Sequence, residues 1–184
     1  MTDGGYEENS SSGSEPTIPA PPFVQAVGFL LSQLGLVVAR QFRQAIESTG
    51  LDPREFALLR AIAEADGATQ NAMSDQLGIP ASSLVTLIDH LEAGGFLVRR
   101  THPLDRRSRT LHATAEGREL LARSMRLAMD YERHLCRKLA PEERTVLLEL
   151  LDRIRAGLEI TPGVHPGMSI DHDAPHRNGS PSDS

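Results

Sequence analysis

The sequence predicts a mainly α-helical domain carrying one small two-stranded β hairpin. Three observations point there. Apolar residues recur at helical spacing through six segments between residues 21 and 160. Proline, aspartate, threonine and glycine stand where those segments should start and stop. One stretch, Phe96 to Ala113, breaks the helical period, with two short runs of strand character on either side of a Pro103-Leu104-Asp105 turn.

Each element has its own signals. Pro21-Pro22 starts a helix whose Val27, Leu30, Leu31, Leu34, Val37, Val38, Phe42 and Ile46 keep helical spacing up to a stop at Gly50. Asp52 as N-cap and Pro53 in the first helical position begin a second helix, with Phe56, Leu58, Leu59 and Ile62 inward, that ends at Asp66-Gly67. Residues 69–93 read as two short helices joined at Gly78-Ile79-Pro80. The first, opened by Thr69 or Gln70, turns Met73 and Leu77 inward; the second buries Leu84, Leu87, Ile88 and Leu91. Gly94-Gly95 breaks that helix and releases the chain into the hairpin. Thr114 resembles the N-cap of a long helix bearing Leu120, Leu121, Met125, Ala128, Met129, Leu135 and Leu139. Pro141-Glu-Glu opens the last helix, with Val146, Leu147, Leu150, Leu151, Ile154 and Leu158. The last two stripes, and much of the first, approach heptad spacing, which suggests a homodimer made from both ends of the chain.

Residues 1–20 and 161–184 are rich in Gly, Ser, Pro and acids, with little to bury, and read as disordered tails around one domain at 21–160. Within it, 23–49 and 115–159 are the expected dimerisation helices and 52–113 the expected lobe between them. No apolar run approaches the roughly 20 residues that span a bilayer, and no signal peptide opens the chain, so a cytoplasmic protein with no membrane partner is expected. One cysteine, Cys136, allows no internal disulfide. Between Leu135 and Leu139 it reads as a packing residue, with a redox role kept open by Arg133, Arg137 and Lys138 nearby. Met73, Met125 and Met129 read as core, although methionine also suits a pocket for varied apolar ligands.

Charge locates the candidate chemistry. The chain carries a net charge of −6, which argues against coating nucleic acid non-specifically. Residues 94–113 run the other way, with Arg99, Arg100, Arg106, Arg107 and Arg109 against Asp105 alone. Guanidinium groups at a hairpin tip bury nothing, whereas phosphate or minor-groove contact needs projecting positive charge. A helix-turn-helix that feeds directly into such a hairpin reads as a DNA-binding unit, the hairpin forming a basic wing. No Gly-rich phosphate loop, Gly-x-Ser-x-Gly elbow or helical metal-ligand spacing is present, so neither an enzyme nor a cofactor is expected. His165, His172 and His176, with Asp171 and Asp173, lie in a flexible tail, and His102 with His112 flanks the wing. Neither set is expected to hold a metal.

The run Ser82-Ser83-Leu-Val-Thr86-Leu-Ile-Asp89-His-Leu91-Glu92, then Gly95-Phe-Leu-Val-Arg-Arg100, Pro103-Leu-Asp105-Arg106-Arg107, Leu111, Thr114 and Gly117 resembles the MarR family of winged helix-turn-helix regulators over roughly residues 23–160. The resemblance implies a dimer joined through its terminal helices, two recognition helices in successive major grooves, and repression of transcription relieved by a small, often phenolic or lipophilic, effector. It places Ser82, Ser83 and Thr86 on the groove-facing side of the recognition helix, where hydroxyls reach base edges and phosphates. Arg107 falls on the wing arginine of the minor groove, Asp105 on the acid that holds the wing tip through an ion pair, and Arg106 and Arg109 beside them. Thr69 and Gln70 sit at a helix N-terminus suited to phosphate.

The chain departs from the family where relatives often carry Arg or Lys in the recognition helix, near Leu87 and His90. Here that helix has neither, and it holds Asp89. Phosphate anchoring then leans on the wing, the helix N-termini or a protonated His90, with steep salt dependence. The leading expectation is a homodimeric repressor on double-stranded DNA, bound to a pseudo-palindromic, inverted-repeat operator. The alternative, motivated by Asp89 and the net charge, is a protein-interaction module that kept the fold and lost most DNA binding; retention on heparin separates the two.

Overall fold

The structure is a computed structural model and describes residues 23–105, 107–160 and 165. Six α-helices and one antiparallel sheet occur among them: α1 (Val27–Ile46), α2 (Pro53–Glu64), α3 (Gln70–Leu77), α4 (Ala81–Ala93), β1 (Leu97–Thr101), β2 (Arg109–Ala113), α5 (Ala115–Leu135) and α6 (Pro141–Gly157). This is a mostly helical winged helix-turn-helix, as its sequence predicts. The chain divides into two compact units, the first ending at Ala39 and the second starting at Arg40. In the first, the rings of Phe23 and Phe29 meet at 5.1 Å.

The helix boundaries follow from local hydrogen bonds. The Asp52 carboxylate accepts from the backbone N–H of Arg54 and Glu55 at 2.7 and 2.8 Å, and the Glu55 carboxylate accepts from the Asp52 N–H at 3.0 Å. This reciprocal box, with Pro53 in the first turn, fixes the start of α2. The Thr69 hydroxyl accepts from the Ala72 N–H at 3.3 Å to start α3, and Thr114 does the same for Gly117 at 3.0 Å to start α5.

Ile46, Leu58, Leu59, Ile62, Met73, Leu84, Ile88, Leu91, Leu97, Leu111 and Leu120 form one core at which α2, α3, α4, both strands and the start of α5 meet. Phe42 adds edge contacts to Phe56 and Tyr131. The strands pair Leu97 with Ala113, Arg99 with Leu111 and Thr101 with Arg109, and Thr69 bridges to Thr110, so the start of α3 adds to the sheet edge.

Three expectations need correction. The first helix, Val27–Ile46, spans its whole apolar stripe but does not run on to Gly50, and 3₁₀ turns stand on either side of it at Phe23–Gln25 and Glu47–Thr49. Leu139 is not on α5, which ends at Leu135 and gives way to a turn where the Leu139 N–H donates to the Cys136 carbonyl. Met125 and Met129 are not core; both are exposed on α5, whereas Met73 is buried. A helical period shows that a stripe is apolar but not which neighbour covers it.

Candidate DNA-reading surface

The exit from α4 sets the geometry. Gly95 adopts a left-handed conformation (φ 77°), which lets the chain reverse, and the Phe96 N–H returns to the Leu91 carbonyl. The base of the wing is then locked to α5. The Thr114 hydroxyl donates to the Gly95 carbonyl at 2.7 Å and the Thr114 N–H to the Phe96 carbonyl at 3.1 Å. Gly117 lies so close to this strand that a Cβ there would sit 1.9 Å from the Phe96 oxygen.

Arg99, on β1, reaches back to α4 and pairs with both Asp89 and Glu92, and the Glu92 carboxylate also accepts the Arg99 backbone N–H at 3.1 Å. Burial acts to lower the pKa of this guanidinium, but the hydrogen bond to Asp89 and the charges of Glu92 and Asp89 outweigh it and leave the pKa raised. The one acid on the exposed side of α4 that counted against DNA is therefore ion-paired. Of the five arginines counted in this stretch, Arg99 is thus committed to α4.

On α4, Ser82, Val85, Thr86 and Asp89 share an exposed strip opposite the buried Leu84, Leu87, Ile88 and Leu91, and Ser83 is half-buried beside it. Val85 was missed. Its place off the buried stripe was the available signal, and a small apolar group there suits a thymine methyl. The His90 ring nitrogen lies 3.5 Å from the Glu55 carboxylate, so α2 supplies a partner for any charge it carries. Thr69 and Gln70 are half-buried at the start of α3, beside the strand edge rather than on the α4 strip.

The wing tip is ordered by its own hydrogen bonds. The Asp105 carboxylate accepts the Arg107 N–H at 2.9 Å, the Asp105 carbonyl accepts the Ser108 N–H at 3.0 Å, and the Ser108 carbonyl accepts the His102 N–H at 3.0 Å. Among the described residues, Asp105 shapes the tip through these backbone contacts. Arg107 and Arg109 are exposed there, Arg109 donating to the Thr101 hydroxyl at 3.0 Å; Arg106 lies outside the described residues.

His102 and His112 do not face each other. One ring nitrogen of His102 accepts the Leu104 N–H, while His112 sits between Asp66 at 3.3 Å and the Thr110 hydroxyl at 3.0 Å. Among the described residues no cluster of three His, Cys, Asp or Glu residues is arranged for a metal, and no helix is long and apolar enough to cross a membrane. Cys136 is half-buried at the end of α5 with its sulfur 3.6 Å from a Glu132 carboxylate oxygen. His172 and His176 lie outside the described residues.

An exposed helix strip whose acid is ion-paired thus lies beside a basic hairpin, and comparison with known proteins identifies the family to which this arrangement belongs. Residues 49–108 match the sequence model described as MarR family. A Thauera aromatica protein named as a transcriptional regulatory protein for the hcr operon is 34% identical over 129 residues, which cover 70% of this chain and 78% of that protein. The transcriptional repressor CouR bound to a 23-mer DNA duplex matches with a TM-score of 0.63 and 34% identity, over 70% of this chain and 92% of that one. CouR from Rhodococcus jostii RHA1 bound to p-coumaroyl-CoA matches with a TM-score of 0.62 and 27% identity, over 74% and 94%. The chain belongs to the MarR family and is a DNA-binding transcriptional regulator of winged helix-turn-helix fold.

Proposed function

We propose that this regulator is a repressor that binds a pseudo-palindromic operator as a homodimer and leaves it when a small effector binds. The observation that carries the reading is the rigid union of the α4 strip with the wing through Arg99, Asp89 and Glu92. It weakens one of the two motives for a pure protein-interaction module, since Asp89 is ion-paired with Arg99 of its own lobe.

In this reading Ser82, Ser83, Val85 and Thr86 read major-groove edges, and Arg106, Arg107 and Arg109 hold the minor groove and its phosphates. Asp105 shapes the tip, while Thr69, Gln70 and His90 contribute phosphate contacts at the rim. The dimer is supported by α6, whose Val146, Leu147, Leu148, Leu150, Leu151 and Leu158 are exposed in the single chain, an apolar face that calls for a partner. Two lobes about 34 Å apart then meet successive major grooves. For the effector, the relative bound to p-coumaroyl-CoA makes aromatic acyl-CoA thioesters the first class to test. Met125 and Met129 beside Arg126 on exposed α5 offer apolar and cationic groups of the right kinds, with Arg133 next to them paired to Asp130.

The test is a mobility-shift titration against duplexes tiling the DNA upstream of the chain's own gene, with sedimentation to fix the oligomer and aromatic acyl-CoA thioesters as competitors. A dimer binding one inverted repeat, released by a thioester, supports the reading. Binding by a monomer, or a complex indifferent to effectors, refutes the corresponding part.

A further inference from the structure

Leu104 is 92% exposed, the most exposed of the large apolar side chains among the described residues. Single exposed leucines are common on proteins, so exposure alone says little. Its position says more. Leu104 stands at the outermost turn of the wing, directly after Pro103 and within three residues of Arg107. Its backbone N–H donates to the His102 ring nitrogen at 3.2 Å, and three further hydrogen bonds join His102 to Ser108 and Asp105 to Arg107 and Ser108 around it. The side chain is thus presented on a rigid mount with no protein surface beneath it, inside a segment whose arginines draw it to DNA.

We infer that Leu104 enters the minor groove with the wing and sets its preference for A·T pairs. The inference rests on the reading of the wing as a DNA-contacting element and adds a residue that carries no charge. The minor groove, about 6 Å wide, excludes a helix but admits a hairpin tip. Its walls are deoxyribose, which an isobutyl group can contact, and apolar side chains are a known means of reading that groove. Its floor is smooth at A·T pairs, whereas guanine projects an exocyclic amino group that would abut the leucine methyls. The arginines supply attraction, greatest where A-tracts narrow the groove. Leu104 supplies the shape test that attraction lacks.

The test uses the full chain and duplexes selected by it from a random pool, titrated at several salt concentrations with Leu104→Ala and Arg107→Ala. The exposed Leu104 side chain leaves folding intact on truncation, which circular dichroism checks. Leu104→Ala is expected to weaken binding roughly tenfold with an unchanged log–log salt slope, because no phosphate partner is removed. Arg107→Ala is expected to weaken binding and reduce the slope by about one. Replacing adenines one at a time by 2,6-diaminopurine adds a minor-groove amino group; at the wing positions it should weaken wild type severalfold and Leu104→Ala hardly at all. Leu104→Ala binding within twofold of wild type, a lowered salt slope, or an undiminished diaminopurine penalty overturns the inference while leaving the wing reading intact. If Arg107→Ala also binds as wild type, the wing reading itself falls and Leu104 with it.

Discussion

Arg99→Met separates the two roles of the Arg99 bridge. The substitution keeps the apolar stem on the half-buried strand and deletes the guanidinium, whose side chain is 22% exposed and paired with Asp89 and Glu92. Hydrogen bonds to charged groups contribute about 1.5–3 kcal/mol. The partners here are 56% and 36% exposed, so solvent screening reduces the net loss to about 1–2 kcal/mol. For a domain of this size that lowers the thermal midpoint by roughly 3–6 °C. The second effect acts on DNA. Removing Arg99 bares two carboxylates at the reading surface; at about 10 Å each repels a phosphate by roughly 0.4 kcal/mol in water. Summed over two or three phosphates within a Debye length, the penalty is about 1–2 kcal/mol, a five- to thirtyfold loss of affinity at low salt. The assay is calorimetry together with mobility shift for Arg99→Met alone and combined with Asp89→Asn. Asp89→Asn should recover part of the DNA affinity without recovering the thermal midpoint. If affinity and midpoint rise together, or neither moves, the electrostatic role assigned to Arg99 is wrong.

Gly117→Ala places a methyl 1.9 Å from the Phe96 carbonyl, a backbone atom that cannot yield cheaply; we expect a loss of about 3 kcal/mol or more, and a midpoint within 2 °C of wild type would contradict the close packing. Asp105→Ala should leave the thermal midpoint within a degree, since its contacts are exposed, yet weaken DNA binding severalfold by loosening the tip; hydrogen exchange at the Arg107 amide reads the loosening directly. Leu147→Asp with Leu151→Asp puts two charges on the apolar face of α6. Sedimentation should then show a monomer with DNA affinity reduced at least a hundredfold, whereas a persisting dimer would move the interface elsewhere.

What the sequence disclosed was governed by local chemistry. Asp52-Pro53, Thr69 and Thr114 announced three helix starts because each cap forms within four residues. The Gly94-Gly95 exit and the wing strands were legible for the same reason. The Leu84, Leu87, Ile88 and Leu91 stripe was legible because a helix packed against one core exposes its period plainly. Contacts that depend on tertiary registration were hidden. Arg99 is seven residues from Glu92 and ten from Asp89, and only the reversal at Gly95 brings the three together. Met125 and Met129 follow the apolar period of α5, but that stripe outruns the core, which reaches this helix chiefly through Leu120. Of the residues expected from the sequence to contact DNA, Ser82, Thr86, Arg107 and Arg109 stand exposed on their elements, while Ser83 is half-buried on α4 and Thr69 and Gln70 lie half-buried at the sheet edge.

The way the lobe is tied together constrains how an effector can act. Arg99 joins the wing to α4, Thr114 and Gly117 join the wing base to the start of α5, and the Arg144 guanidinium reaches Glu132 at 2.8 Å across the turn between α5 and α6. With these links intact, neither the wing nor α4 moves without carrying the start of α5 along. In the proposed homodimer, release from DNA would then be better served by changing the spacing between the two lobes than by folding away a wing. Such a shift needs only a few kilocalories of differential effector affinity between the two spacings, about 1–3 kcal/mol for a 5- to 150-fold change in DNA affinity. An effector acting this way leaves the Asp89, Glu92 and Arg99 contacts unchanged. Hydrogen exchange should therefore show protection changing along α5 and α6 but not at the amide of Arg99, and exposure of that amide on effector binding would argue for wing unfolding instead.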